Sequence, residues 1–210
     1  MVNFGEAIKR PFQDAKKLII GIVLSIIPIV NLIALGYMLE NTKSVMKKSY
    51  KLTEWGHWGD LFVRGLLFVV IGLIYALPAL IVFLVGFGAA LMGTIGSAAL
   101  MSPVGILTSI GGFGITLVAF IILALIAGYI IPAAALNYVA KNKFGAAFDF
   151  AEIKKRAFKS EYFAAWVVGE LYIIAITLVL MWIPLIGAGI ASFIGSLTAY
   201  TMLAEAFASK

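Results

Sequence analysis

Between Arg64 and Lys141 there is no Asp, Glu, Lys, Arg or His, and a water-facing domain does not run that far without a charge. A bilayer crossing takes roughly 20 apolar residues, so this stretch alone holds more than one. The whole chain agrees: 63% of its 210 residues are hydrophobic and 12% charged, too little polar surface to cover a soluble domain. The fold class expected is an all-α membrane protein.

Several chemistries are excluded by inventory. Cysteine is absent and His57 is the single histidine, so disulfides, thiol chemistry and Cys or His metal clusters have no ligands to use. Asp14, Asp60 and Asp149 fall in polar leads rather than in spans, so no pair of intramembrane aspartates exists for proteolysis. There is also no phosphate-cradling Gly-Lys-Ser/Thr loop. The expectation is that the protein is not an enzyme and takes no cofactor or metal.

The formal charge of +6 does not point to nucleic acid, because the basic residues sit in juxtamembrane clusters. These are Lys9, Arg10, Lys16 and Lys17; Lys43, Lys47, Lys48, Lys51 and Arg64; Lys141, Lys143, Lys154, Lys155, Arg156 and Lys159; then Lys210. They read as topology signals. Glu6 and Asp14 spoil the n-region of a signal peptide. If each cluster faces the cytoplasm of a cell membrane, each stretch between clusters crosses an even number of times, with both termini cytoplasmic.

The expected architecture is therefore six transmembrane helices as three pseudo-repeated hairpins with amphipathic cytoplasmic lead segments, in one membrane domain, 1–210. Hairpin 1 occupies 1–49, with helices at about Phe12–Pro28 and Asn31–Met46. Hairpin 2 occupies 50–143, with helices Leu61–Gly86 and Phe113–Ala140 and an apolar outer segment, 87–112, that re-enters the membrane or lies on the outer leaflet. Hairpin 3 occupies 144–210, with helices Glu161–Ile183 and Ala188–Ala206. A single span over Leu18–Leu39 is the alternative for hairpin 1; it gives five helices but strands four positive charges outside.

An internal repeat supports the three-hairpin arrangement. Phe4, Glu6, Lys9, Arg10 and Phe12 recur at the same spacing as Phe150, Glu152, Lys155, Arg156 and Phe158. Asn3-x-x-Glu6 and Asp149-x-x-Glu152 both have the form of capping boxes, so each block starts a helix. Prolines mark the outgoing helices at Pro28, Pro78 and Pro184, and Tyr37, Tyr138 and Tyr200 mark the returning ones. Asp60 is placed to cap the helix it precedes and to pair with Arg64 one turn on.

Two motifs carry a family resemblance: Leu52-Thr53-Glu54-Trp55-Gly56-His57-Trp58-Gly59-Asp60-Leu61-Phe62-x-x-Gly65, and Phe144-Gly145-Ala146-Ala147-Phe148-Asp149-Phe150-x-Glu152-Ile153. With them the chain resembles the prokaryotic membrane family labelled domain of unknown function 4013. The resemblance implies a multi-span membrane protein and brings no catalytic residues. Thr53 stands where members usually have proline.

Glu170 is the candidate site residue. It lies near the middle of an expected span, where a bare charge costs several kcal/mol. It serves either as an ion, proton or ligand site, or as a neutral carboxyl bonded to a nearby Tyr, Ser, Thr or carbonyl. Glu40 and Glu205, at inner helix ends, are expected to pair with lysines, and Asn31 and Asn137 to hydrogen-bond across helices. Gly187, Ala191, Gly195 and Ala199 form a small-residue stripe read as static packing. Transport of a small solute, ion or lipid through Glu170 is the first functional expectation. A non-transporting scaffold that organises lipid or binds a partner is the alternative. Membrane lipids are the expected partners, with a homo-oligomer or a protein partner left open.

Overall fold

The computed structural model describes residues 2–184 and 186–209. Every regular element among them is helical: α1 (Phe4–Lys9), α2 (Ala15–Ile26), α3 (Asn31–Met46), α4 (Trp58–Ala99), α5 (Pro103–Lys141), α6 (Phe150–Ala157), α7 (Ser160–Leu180) and α8 (Ile186–Ala208). Short 3-10 helices occupy Arg10–Gln13 and Phe144–Phe148. Leu185 of the third tip and Lys210 of the last basic cluster lie outside the described residues.

Local chemistry explains most boundaries. The Asn3 side chain accepts from the Glu6 amide at 3.2 Å, Asp14 from that of Lys17 at 3.1 Å and Asp149 from that of Glu152 at 3.2 Å, each filling an orphan donor at a helix start. Helix α3 closes on Lys48 and α5 on Asn142, both in the left-handed region at φ 62° and 53°, where a terminal turn recovers its last carbonyls.

Among the described residues four helices are long and apolar enough to cross a bilayer: α4, α5, α7 and α8, with mean hydropathy of 2.9, 2.7, 2.2 and 1.4 over their best stretches. The expected first pair forms at its predicted place, but it is short. Helix α2 has 12 residues and α3 has 16, about 18 and 24 Å at 1.5 Å per residue, against roughly 30 Å of hydrocarbon.

The helix ends expected at Gly86 and Phe113 are corrected. Helix α4 continues to Ala99 and α5 begins at Pro103, so 87–112 consists of their last and first turns joined at Leu100–Ser102. The glycines there do not break the helices, because a backbone in an apolar setting must satisfy its N–H and C=O groups within the helix. Pro78 and Pro132 are likewise carried inside α4 and α5.

The chain forms two compact units, Met1–Ile71 with Pro132–Lys210, and Gly72–Ile131; α4 and α5 contribute to both. In the second, glycines let the two helices approach: Gly86 stands against Thr116, Gly93 against Ser109 and Gly105 against Ser97. Phe83 packs on Phe120 with ring centroids 5.1 Å apart. Most of the unit's large side chains face outward, as a lipid solvent requires.

The first unit is built around α8, 67% of whose apolar window is buried, against 11% for α7. Its stripe packs within the chain as expected: Gly195 faces Ile173, Gly169 of α7 faces Ala199, and Gly187 lies against the Leu180 carbonyl. Helices α3 and α4 approach through a reciprocal pair of glycines. A Cβ on Gly36 would overlap the Leu61 carbonyl, and one on Gly65 would overlap that of Leu32.

Candidate functional site

The polar ends of these helices gather at one basic end of the first unit, and among the fully buried polar residues there is one read from sequence as a topology signal. Arg10 is fully buried. Its Nε donates to the Tyr50 carbonyl (3.0 Å), Nη1 to Thr201 Oγ1 (2.9 Å), and Nη2 to both the carbonyl and Oδ1 of Asn41 (3.1 and 3.2 Å). One guanidinium fork thus ties the N-terminal lead to α3, to the 50–57 loop and to α8. Burial pulls the Arg10 guanidinium down to about 10, partly offset by nearby Tyr37, Glu205 and Tyr50, so it stays charged at neutral pH.

Asn41 relays this contact. It donates to the Tyr37 carbonyl and to Thr53 Oγ1, both at 2.9 Å, and Oδ1 accepts from the Thr53 amide at 3.1 Å. The Tyr37 hydroxyl donates to the Thr53 carbonyl at 2.9 Å, and its ring stacks on Trp55 with centroids 3.7 Å apart. Lys17 is also buried; its Nζ reaches the Leu52 carbonyl at 3.1 Å and Glu54 Oε1 at 2.7 Å. The Leu52 to Trp55 motif is therefore a strap hydrogen-bonded into the bundle. Thr53 holds it through both backbone and side chain.

The second lead docks on the same helix. Arg156 Nε donates to Glu152 at 2.6 Å, Nη1 donates to the Phe207 carbonyl at 3.0 Å, and the guanidinium lies 5.0 Å from the Phe207 ring centre. With Arg10 and Arg156 spent on α8, the leads expose Ile8, Phe12, Phe150 and Phe158. Lys9, Lys16, Lys47, Lys48, Lys51, Lys141, Lys143, Lys154 and Lys155 are exposed as well.

Helix α7 carries Glu170 half-buried, one residue from the Gly169 contact with α8 and within the electrostatic field of Tyr200. Tyr200 packs edge-on against Phe68 of α4 at 5.8 Å. The other polar expectations divide. Asn137 donates to the Ala146 carbonyl at 2.8 Å, a structural bond made to the 3-10 helix that follows α5 rather than across spans. Glu40 pairs with Arg64 rather than with a lysine, which takes Arg64 from Asp60. Glu205 accepts from the Asn3 amide at 2.6 Å through Oε2, while its buried Oε1 has no partner. His57 is exposed, at φ 49° between the strap and α4. Among the described residues no group of three or more His, Asp or Glu is placed to hold a metal ion.

Residues 19–185 match the model of the family described as Protein of unknown function (DUF4013). The chain belongs to this family. No curated protein and no solved structure matches it. The DUF4013 match starts inside α2 and ends ahead of α8. It includes Asn41, the strap, Arg156 and Glu170; Arg10, Thr201 and Glu205 lie outside it.

The buried Arg10 hub had only a faint sequence signal. Pro11 beside Arg10 marks a turn, and Asn41 lies in the polar run 40–44 at the end of α3. Nothing local distinguishes Arg10 from the neighbouring Lys9, which is exposed.

Proposed function

We propose that this protein is a non-transporting scaffold of the cell membrane that gathers anionic lipid at its basic end. The observation that carries it is the combination of exposed apolar side chains on the docked leads, Ile8, Phe12, Phe150 and Phe158, with nine exposed lysines on the leads and at the ends of α3 and α5. Apolar side chains enter the headgroup boundary, and each lysine adds about 1 kcal/mol of attraction to an anionic surface. The chemistry is recognition of lipid; no reaction is catalysed.

In this reading α4, α5, α7 and α8 cross the bilayer, and α2 with α3 enters and leaves from the cytoplasmic side as a shorter hairpin turning at Pro28. Both termini are cytoplasmic, and the three pairs derive from one repeated unit. Because the chain lacks cysteine, single cysteines introduced at Ser49, Gly145 and Met101 can be tested with a membrane-impermeant maleimide. The first two label from the cytoplasmic side. Labelling of either from outside overturns this topology.

The lipid test uses full-length protein in liposomes of phosphatidylcholine with phosphatidylglycerol. Energy transfer from tryptophan to a labelled anionic lipid should exceed that to a labelled neutral lipid, should fall with salt, and should drop on K9Q/K16Q/K154Q/K155Q. Equal transfer to both lipids overturns the proposal. Transport is the second reading, favoured by the carboxyl of Glu170 in the middle of α7, and flux that depends on Glu170 would establish it.

A further inference from the structure

We propose that a cleft at the basic end of the first unit binds the headgroup of phosphatidylethanolamine. Glu205 and Glu161 face its ammonium, and Lys48 faces its phosphate. The cleft measures about 640 Å3, within the roughly 300–1,000 Å3 of small-ligand sites. Val45 and Met46 at the end of α3, then Lys48 and Tyr50, form one wall. Glu161 in the first turn of α7 and Glu205 near the end of α8 supply the other.

The charge arrangement selects the ligand. Glu205 is held by neutral donors: Oε2 takes the Asn3 amide, the Tyr50 hydroxyl faces the same carboxylate, and Oε1 accepts no hydrogen bond. The nearest buried cation, Arg10, feels Glu205 electrostatically, but its Nε, Nη1 and Nη2 donate to Tyr50, Thr201 and Asn41. A half-buried carboxylate with no cation bonded to it carries an electrostatic cost. A cation arriving in the cleft relieves that cost.

Glu161 adds a second negative charge on the same cleft and Lys48 a positive one, so the lining is zwitterionic. A primary ammonium next to a phosphate matches it, and the ammonium's three N–H donors serve carboxylates in a way a quaternary choline cannot. The exposed lysines outside the cleft attract net negative charge whatever the headgroup. The cleft instead reads the amine. Its placement at the headgroup level follows from helix ends on three elements, α3, α7 and α8, and rests on the membrane topology proposed above, not on the anionic-lipid reading.

The test titrates delipidated full-length protein in detergent with phosphatidylethanolamine, phosphatidylcholine and phosphatidylglycerol of the same acyl chains, counting bound lipid by native mass spectrometry. Phosphatidylethanolamine should bind about ten-fold more tightly than phosphatidylcholine, the size of one charge-assisted hydrogen bond. E205Q and K48Q should each remove most of that preference, and E205Q should leave phosphatidylglycerol binding unchanged. K48Q keeps the proposal testable if E205Q disturbs α8, because Lys48 is exposed. Equal binding of the two zwitterionic lipids, or full preference retained in both variants, overturns the proposal. Displacement of the lipid by equimolar soluble phosphoethanolamine overturns the assignment to a lipid. Loss of phosphatidylglycerol binding in wild type counts against the scaffold reading alone.

Discussion

Arg10 Nη2 donates to both the carbonyl and the side-chain oxygen of Asn41, at 3.1 and 3.2 Å, so a residue of the N-terminal lead closes a polar bracket inside α3. Thr201, 191 residues further along the chain, takes Nη1 of the same guanidinium. Among the described residues no carboxylate bonds this buried cation. Carbonyl, amide and hydroxyl oxygens carry its charge, and removing it takes a buried donor from each of them.

Arg10→Ala should therefore lower the stability of the solubilised protein by about 3 kcal/mol, the cost of unpaired buried groups next to a lost charged donor. Arg10→Lys should recover only part, since an ammonium cannot reproduce the fork. Thermal unfolding in detergent measures both. Lys9→Ala, on the exposed neighbour, should change stability by less than about 0.5 kcal/mol; if it matches Arg10→Ala, the bracket is not the source of the effect.

Gly36 and Gly65 each lie against a backbone carbonyl of the opposite helix. Gly36→Ala and Gly65→Ala should each cost about 1–3 kcal/mol by forcing α3 and α4 apart, and the double variant should cost less than the sum because one separation relieves both clashes. Gly72→Ala on α4 meets nothing within 4 Å and should stabilise by up to about 1 kcal/mol through backbone entropy. The same unfolding assay reads all four proteins.

Glu170→Gln keeps the shape of a mid-span carboxyl and removes its charge. Under the scaffold reading, proteoliposomes of wild type and variant should show the same low proton and cation leak, and their stabilities should differ by less than about 1 kcal/mol. A current present in wild type and abolished in Glu170→Gln would instead make transport the function.

The second lead should loosen in acid. The Lys141 side chain and the Glu152 amide hold Asp149 below the ordinary carboxylate range, and Arg156 does the same for Glu152. A depressed carboxyl pKa contributes stability that is fully present above the unfolded value and is lost as pH falls through the folded one. Hydrogen exchange in α6 should thus be flat from neutral pH to about 5 and, after correction for intrinsic rate, rise below about 4. Asp149→Asn should flatten the Asp149 share of that rise.

The sequence by itself determined the class of solvent, the helix pairs and the starts of the leads. Those signals are local: a charge-free run from Arg64 to Lys141 excludes water, Asn3 and Asp149 cap within three residues, and 3.6-residue periodicity needs no distant partner. It also held the family in the Trp55 strap and the Phe144 motif. Local rules misjudged the reach of α4 and α5 through 87–112, because glycines that end helices in water mark close contacts where the backbone has no water to bond.

Only the tertiary structure decided which charges are buried. Lys9 and Arg10, or Lys16 and Lys17, are equivalent in a sequence window, yet one of each pair is exposed and the other buried. The difference arises from Asn41, the strap and α8, which meet at Arg10 from 31 to 191 residues away. The same long-range assembly leaves Glu205 Oε1 without a partner on a cleft made from three separate helix ends. A pattern confined to neighbouring residues cannot contain that arrangement, since the cost of burying a charge depends on donors and acceptors supplied by the rest of the chain.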